Sequence, residues 1–183
     1  MLRVFRYLKY SQTLAIRYGP STDGLVGYTD TDYAADILDR RSTMGYLFML
    51  SGVAVTWAAR KQQSISTSTT EAEYVGICNA AKEAAWLRNL LRHIGCDMYA
   101  EHTTRIYGDN QSALRLVANP EFHSRSKHID VQYHCVRELV EDGIVSVDYI
   151  STVDMIADCL TKPLKRAKLA ANLASLGLVE ERV

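Results

Sequence analysis

The sequence predicts a single α/β domain built on a mixed β-sheet. With 183 residues, 48% of them hydrophobic, the chain can bury one substantial core. Three strand-like apolar runs come first, and helical and strand-like segments then alternate towards the C-terminus. Strands that can pair antiparallel, followed by such an alternation, are typical of a mixed sheet with helices packed against it.

The N-terminal third predicts a short lead-in helix and three strands. Leu2–Ile16 has apolar residues at helical spacing, which predicts the lead-in helix. Leu25–Tyr33 suits the first strand. The next two runs, Met44–Leu50 and Val53–Trp57, are separated only by Ser51-Gly52, and this break predicts a hairpin.

The rest of the chain predicts one long helix, two strands and four shorter helices. The long helical pattern runs from about Thr70 to Ile94 and stops at Gly95. Thr104–Gly108 and Ile144–Ile150 have the composition of strands. The shorter helices are predicted at Asn110–Ala118, Lys127–Glu141, Met155–Leu160 and Pro163–Leu176.

The charge of the chain is balanced, with 21 basic and 21 acidic residues. Overall charge therefore gives no attraction for a polyanion, and any nucleic-acid contact must come from local patches. Two basic clusters are candidates, although solvated helix faces are the commoner origin of such clusters: Arg3, Arg6, Lys9 and Arg17, and Lys162, Lys165, Arg166 and Lys168.

Cysteine spacing and hydropathy exclude several classes of protein. The four cysteines form no C-x-x-C pair, which argues against a zinc knuckle or a redox motif and favours free thiols. No stretch approaches the roughly twenty apolar residues that cross a bilayer, and the N-terminus lacks the apolar core of a signal peptide. We expect an intracellular, cytoplasmic protein that makes no membrane contact and is not secreted.

Several acidic residues occupy positions that are predicted to face the core, where an ionised side chain is energetically unfavourable. On the first strand, Asp30 and Asp32 share a face with Val26 and Tyr28, because side chains alternate with a period of two. Strand alternation makes both acids candidates for a functional site.

A glutamate lies on the apolar stripe of the long helix. Glu73 is in line with the residues that must pack on the sheet, which are Ile77, Ala80, Ala84, Leu87 and Leu91. Glu71 is rotated away by about 200°. Glu73 could close a capping box with Thr70, but Ser68 and Glu71 offer the same geometry and would leave Glu73 free.

Two further acids follow strands. Asp109 comes directly after a predicted strand, where it can either cap the next helix or reach a ligand. Helical spacing leaves both Asp154 and Asp158 as candidates after the last strand. Carboxylates gathered at one place repel one another, and Mg²⁺ is a usual compensation because it prefers oxygen ligands.

Seven motifs give the chain a resemblance to the ribonuclease H domain of copia-type long-terminal-repeat retrotransposons over nearly its full length. They occur in order at Tyr28–Ala34, Asp39–Tyr46, Trp57 with Lys61-Gln62, Ser68–Tyr74, Asp109–Ala113, Lys127–Asp130 and Ala157–Lys162. The resemblance implies a ribonuclease H-like fold, with a five-stranded mixed sheet flanked by helices. Residues 1–20 resemble the end of the preceding reverse transcriptase and connection region, 21–162 the ribonuclease H domain, and 163–183 form a helical tail.

The resemblance also implies an active site and a reaction. Carried over onto this sequence, the four acids that bind metal and act in catalysis are Asp30, Glu73, Asp109 and Asp158. The implied activity is hydrolysis of the RNA strand of an RNA–DNA hybrid with two Mg²⁺ ions, for which Mn²⁺ substitutes, leaving 3′-hydroxyl and 5′-phosphate ends. The implied partners are the hybrid and the adjacent reverse transcriptase domain, and virus-like particles are one implied setting.

One departure and two alternatives accompany this interpretation. Bacterial ribonucleases H place a histidine before the last acid, whereas this chain has none between its final strand and Asp158. His123, His128 and His134 lie earlier, and we assign none of them a catalytic role.

The alternatives are a catalytically silent module of the same fold, which binds hybrid or the polymerase, and an integrase-like enzyme acting on DNA. The glutamate comes early in this chain, which argues against an integrase.

Overall fold

In a computed structural model, residues 2–19, 23–118 and 127–181 are described, and for residues 2–3 and 127–133 only the backbone is. The strands are β1 (Leu14–Ile16), β2 (Val26–Asp32), β3 (Thr43–Leu50), β4 (Val53–Lys61), β5 (Thr104–Gly108), β6 (Val145–Tyr149) and β7 (Leu178–Glu180). The helices are α1 (Leu2–Tyr10), α2 (Thr69–His93), α3 (Gln111–Ala118), α4 (Lys127–Glu141), α5 (Asp158–Thr161) and α6 (Arg166–Ser175), with a short 3₁₀ helix at Asp97–Tyr99. Asn119 and Pro120, which follow α3 in the sequence, and His123 lie outside the described residues.

The main sheet has five strands, as the resemblance implied, and their order is β4-β3-β2-β5-β6. β2, β3 and β4 pair antiparallel, while β2–β5 and β5–β6 are parallel pairs. The sheet is therefore mixed, with β2 at its centre. The predicted hairpin between β3 and β4 turns at Ser51 and Gly52, whose φ angles of 54° and 78° are those of the turn that suits a two-residue hairpin.

Helices cover both faces of the sheet. On one face α2 packs with α3 and α4 around Phe48, Tyr74 and Ile106, which are all fully buried. On the other face a smaller apolar cluster joins Leu47 to Met155 and its neighbours just before α5. The segment that carries Asp158 is thereby packed against the sheet.

The lead-in segment differs from its predicted structure. The helical pattern predicted for Leu2–Ile16 holds only as far as Tyr10, and Leu14–Ile16 form β1 instead. β1 pairs antiparallel with β7, which lies near the other end of the chain. A helical extension to Ile16 is therefore wrong, because pairing with a distant strand overrides the local pattern.

The four cysteines form no disulfide, as their spacing predicts. Among the described helices, none combines the length and the apolar composition needed to span a membrane.

Candidate metal centre

Three carboxylates converge at one end of the sheet. A ligand oxygen of each of Asp30, Glu73 and Asp109 lies within 4.8 Å of the others. Asp30 comes from β2, Asp109 directly follows β5, and Glu73 lies in the first turns of α2. Elements far apart in the sequence thus bring together three of the four predicted acids.

The parallel register of β2 and β5 explains why Asp30 and Asp109 are neighbours. Tyr28 of β2 is aligned with Tyr107 of β5, and each acid lies two residues beyond that pair. Asp32, the alternative on the same strand, is not part of the three-acid cluster. Among the described residues it is therefore Asp30 that faces the other two acids.

Asp109 does not cap the helix that follows it. The side chain of Asn110 accepts the hydrogen bond of the Ala113 backbone N–H, so Asn110 is the residue that caps α3. The Asp109 carboxylate instead accepts a hydrogen bond of 2.8 Å from the hydroxyl of Thr152, in the loop after β6. This leaves Asp109 oriented towards the acidic cluster.

The start of α2 orients Glu73 inwards. Ser68 caps the helix by accepting a hydrogen bond from the Glu71 backbone N–H. The Glu71 carboxylate accepts bonds from the backbone N–H and hydroxyl of Thr67, which gives it a structural role at the helix end. Glu73, only 8% exposed, lies on the buried stripe with Ile77, as the spacing predicts.

Asp158 approaches the centre from the opposite face of the sheet. It is 4% exposed, whereas Asp154, the alternative residue, is exposed. Asp158 lies outside the three-acid cluster but is joined to it by Lys162, whose ammonium lies 2.7 Å from Asp158 Oδ1 and 3.7 Å from Asp30 Oδ2. The hydroxyl of Thr161 also donates a hydrogen bond to Asp30 Oδ2.

A glycine on β3 lets α5 come this close to the sheet. A Cβ atom at Gly45 would lie 2.7 Å from the Leu160 Cβ and 2.9 Å from the Thr161 Cγ2. Gly45 is paired with Asp30 across β2 and β3. Any side chain at this position would therefore push α5, with Thr161 and Lys162, away from Asp30.

The electrostatics of the centre are those of crowded, buried carboxylates. Burial, together with the charges of Asp30 and Asp109, raises the pKa of Glu73 to about 9. Burial also raises the pKa of Asp30, against the opposing effects of the Thr161 hydroxyl and the Lys162 charge. For Lys162, burial opposes the charge, but the contacts with Asp158 and Asp30 prevail and raise its pKa.

These residues fit a hard divalent cation. Every potential ligand atom is a carboxylate oxygen, which is the donor that Mg²⁺ and Mn²⁺ prefer. Burial, with the mutual repulsion of the carboxylates, raises the pKa values of Asp30 and Glu73, and a bound divalent cation would favour their ionised forms.

Sequence reasoning did not identify two side chains that orient the acids. Thr152 and Thr161 bond to Asp109 and Asp30, but threonines at these positions give no periodic signal. Thr161 and Lys162 both lie in the Ala157–Lys162 motif, which by itself assigns neither of them a role. His134 is exposed, and the side chain of His128 is among those not described.

The sequence of the chain is similar to those of known proteins. No protein-family model matches the chain. It is 42% identical over 165 residues, 90% of its length, to the retrovirus-related Pol polyprotein from transposon TNT 1-94 of Nicotiana tabacum. It is also 38% identical over 180 residues, 97% of its length, to the corresponding polyprotein from transposon RE2 of Arabidopsis thaliana. The chain spans 12% of the length of each of these relatives.

Two solved structures resemble the whole fold. The N-terminal ribonuclease H domain of a Mycobacterium tuberculosis protein matches with a TM-score of 0.54 at 11% identity, over 83% of this chain and 97% of that one. A foamy viral protease-reverse transcriptase, solved in complex with an RNA/DNA hybrid, matches with a TM-score of 0.56 at 14% identity, over 80% of this chain and 21% of that one.

The chain is therefore a protein of the ribonuclease H fold. By sequence it belongs with the retrovirus-related Pol polyproteins of copia-type plant retrotransposons, of which it corresponds to one segment.

Proposed function

We propose that this chain is a ribonuclease H that hydrolyses the RNA strand of RNA–DNA hybrids during reverse transcription of a retrotransposon. The observation that carries the proposal is the convergence of Asp30, Glu73 and Asp109, with Asp158 beside them, in a buried all-oxygen site. The homology to Pol polyproteins and the ribonuclease H fold support the same reaction.

Asp30, Glu73, Asp109 and Asp158 would hold two Mg²⁺ ions, with Mn²⁺ as a substitute. When bound, such a pair of ions supplies an activated water and neutralises charge on the scissile phosphate and on the leaving 3′ oxygen. The products would carry 3′-hydroxyl and 5′-phosphate ends.

The surrounding residues hold these acids in place for that task. Thr152 bonds to Asp109 and Thr161 to Asp30, so that each carboxylate keeps one orientation. The backbone N–H of Thr31 donates a hydrogen bond to Glu73, which ties the first turn of α2 to β2. A rigid, oriented ligand set keeps the reorganisation needed during the reaction small.

Substrate choice would follow from the shape of the nucleic acid. An RNA strand presents 2′-hydroxyl groups along a wide, shallow minor groove, which a duplex of DNA lacks. The complex of the foamy viral enzyme with an RNA/DNA hybrid supports a hybrid substrate for this fold.

We also propose that residues 1–20 belong with an upstream reverse transcriptase domain, that residues 21–162 form the ribonuclease H domain, and that residues 163–183 form a tail. Supporting this division, Val4, Phe5 and Leu8 of α1 are 60%, 63% and 53% exposed. An apolar helix face of this kind is typical of a surface that packs on a neighbouring domain.

A cleavage assay with matched substrates tests the proposed activity. The full chain is incubated in Mg²⁺ with an end-labelled RNA–DNA hybrid, and with DNA duplex and single-stranded RNA of the same sequence. We expect cleavage of the hybrid alone, abolished by a chelator and by Asp109→Asn. Binding of the hybrid without cleavage would identify a silent module, and a preference for duplex DNA would point to an integrase-like enzyme.

A further inference from the structure

A lysine occupies a position between two acids of the site that suits a metal ion. The Lys162 ammonium lies 2.7 Å from Asp158 Oδ1 and 3.7 Å from Asp30 Oδ2. Both carboxylates are almost fully buried, at 4% and 2% exposed. In the described part of the chain, Lys162 is the only basic side chain that forms an ion pair with either of them.

The two halves of the acidic site differ in this respect. Glu73 and Asp109, on the side of α2 and β5, form no ion pair within the described residues, and with Asp30 they make the preformed three-acid cluster. Asp158, on the side of α5, faces the Lys162 ammonium instead. Within the described residues, the carboxylates of Glu73 and Asp109 are thus paired with no cation, whereas that of Asp158 is paired with the Lys162 ammonium.

We propose that Lys162 is an internal counter-ion that takes the place of the second divalent cation in the metal-free protein and is displaced when that cation binds. The inference rests on the proposed two-metal site. It makes Lys162 a positioning residue, because it holds Asp158 and Asp30 ready for the ion without being its ligand.

The anchoring of Lys162 allows such an exchange. Lys162 follows the last residue of α5, and its backbone N–H donates a hydrogen bond to the Asp158 carbonyl. The backbone is therefore held in place while the long side chain can rotate. The side chain is 35% exposed, which gives the ammonium a route to solvent. Without Lys162 in the metal-free protein, the buried Asp158 carboxylate would be left without a counter-charge, which is strongly destabilising.

This exchange implies that the two divalent cations bind in a fixed order. The first ion enters the open cluster of Asp30, Glu73 and Asp109, and the second must compete with a cation that belongs to the protein. A Lys162→Met variant removes this competitor while keeping most of the side chain's length. We expect its affinity for the second ion to rise by at least about tenfold.

The inference is tested on the full chain by titrating it with Mn²⁺ alone and measuring the affinity of each ion by calorimetry. The variants are Lys162→Met, Lys162→Arg, which retains the charge, and Lys165→Met, which removes an exposed charge nearby. Thermal unfolding is measured in chelator and in saturating Mn²⁺. If Lys162→Met does not fold without metal, Lys162→Gln, which can still donate a hydrogen bond to Asp158, replaces it.

We expect tighter binding of the second ion only when the charge at position 162 is lost. The same variant should melt at a lower temperature than the wild-type protein in chelator, and saturating Mn²⁺ should abolish the difference. Unchanged or weaker binding of the second ion, or a melting deficit that persists at saturation, would overturn the inference. Binding of the first ion, which Asp109→Asn should remove, reports separately on the proposed metal centre.

Discussion

Glu71 and Glu73 have the same chemistry and lie on the same helix, but the structure gives them opposite effects on stability. Glu71 bonds to the Thr67 backbone and hydroxyl at the start of α2. Glu73 is buried beside Asp30 and Asp109. We predict that Glu71→Gln destabilises the metal-free protein, whereas Glu73→Gln stabilises it at pH 8 and abolishes cleavage.

The size of the effect follows from the pKa of Glu73, which is raised from 4.5 to about 9. From about pH 6 to about pH 8, the unfolded chain has lost this proton while the folded chain retains it. The free energy of unfolding therefore falls with rising pH, by about 1.4 kcal/mol per pH unit from this group, or on the order of 3 kcal/mol in all. Glu73→Gln should lack this slope. Glu71→Gln should keep the slope and cost about 1 kcal/mol at every pH through the weakened helix start.

Urea unfolding followed by circular dichroism, in chelator at pH 6, 7 and 8, measures both variants against the wild-type protein. Cleavage of a labelled hybrid in Mg²⁺ is measured in parallel. Mg²⁺ should flatten the pH dependence of the wild-type protein, because a bound cation favours the ionised carboxylate. A wild-type slope in Glu73→Gln, or loss of cleavage in Glu71→Gln, would refute the assigned orientation of the helix.

Other perturbations address the rest of the site. Asp109→Asn should reduce cleavage by at least about a hundredfold without unfolding the protein, since Asn110 caps α3; circular dichroism checks the fold. Gly45→Ala should reduce cleavage and destabilise the protein by about 1–3 kcal/mol, because its Cβ would collide with α5. Gly24→Ala is its control in the same denaturation, since no atom lies within 4 Å of a Cβ there. Ca²⁺ should raise the melting temperature without supporting turnover, because it tolerates loose coordination; cleavage in Ca²⁺ equal to that in Mg²⁺ would contradict this. Removal of residues 1–20 should leave a domain that unfolds cooperatively and binds Mn²⁺, although β7 loses its partner strand; loss of cooperativity would assign the lead-in segment to the core.

Local patterns in the sequence are sufficient to predict most of the helices and strands and the orientation of α2. The spacing of Glu73 with Ile77 and Ala80 places all three on the buried side of the helix, because this periodicity is a property of the helix alone. The same holds for β5 at Thr104–Gly108 and for the hairpin at Ser51-Gly52, where local composition and turn geometry are sufficient.

Which of the acids come together depends on how the strands and helices pack. Strand alternation does not distinguish Asp30 from Asp32 as the site residue, and helical spacing does not distinguish Asp154 from Asp158. The resemblance selected Asp30 and Asp158, and the structure brings those two towards the centre through the β2–β5 register and the packing of α5.

Two further contacts also depend on tertiary packing: the pairing of β1 with β7 and the ion pair of Lys162 with Asp30. Each of these contacts joins residues that are more than a hundred positions apart in the sequence. Periodicity and turn signals report on neighbours along the chain, whereas such contacts depend on how the whole sheet and its helices pack together.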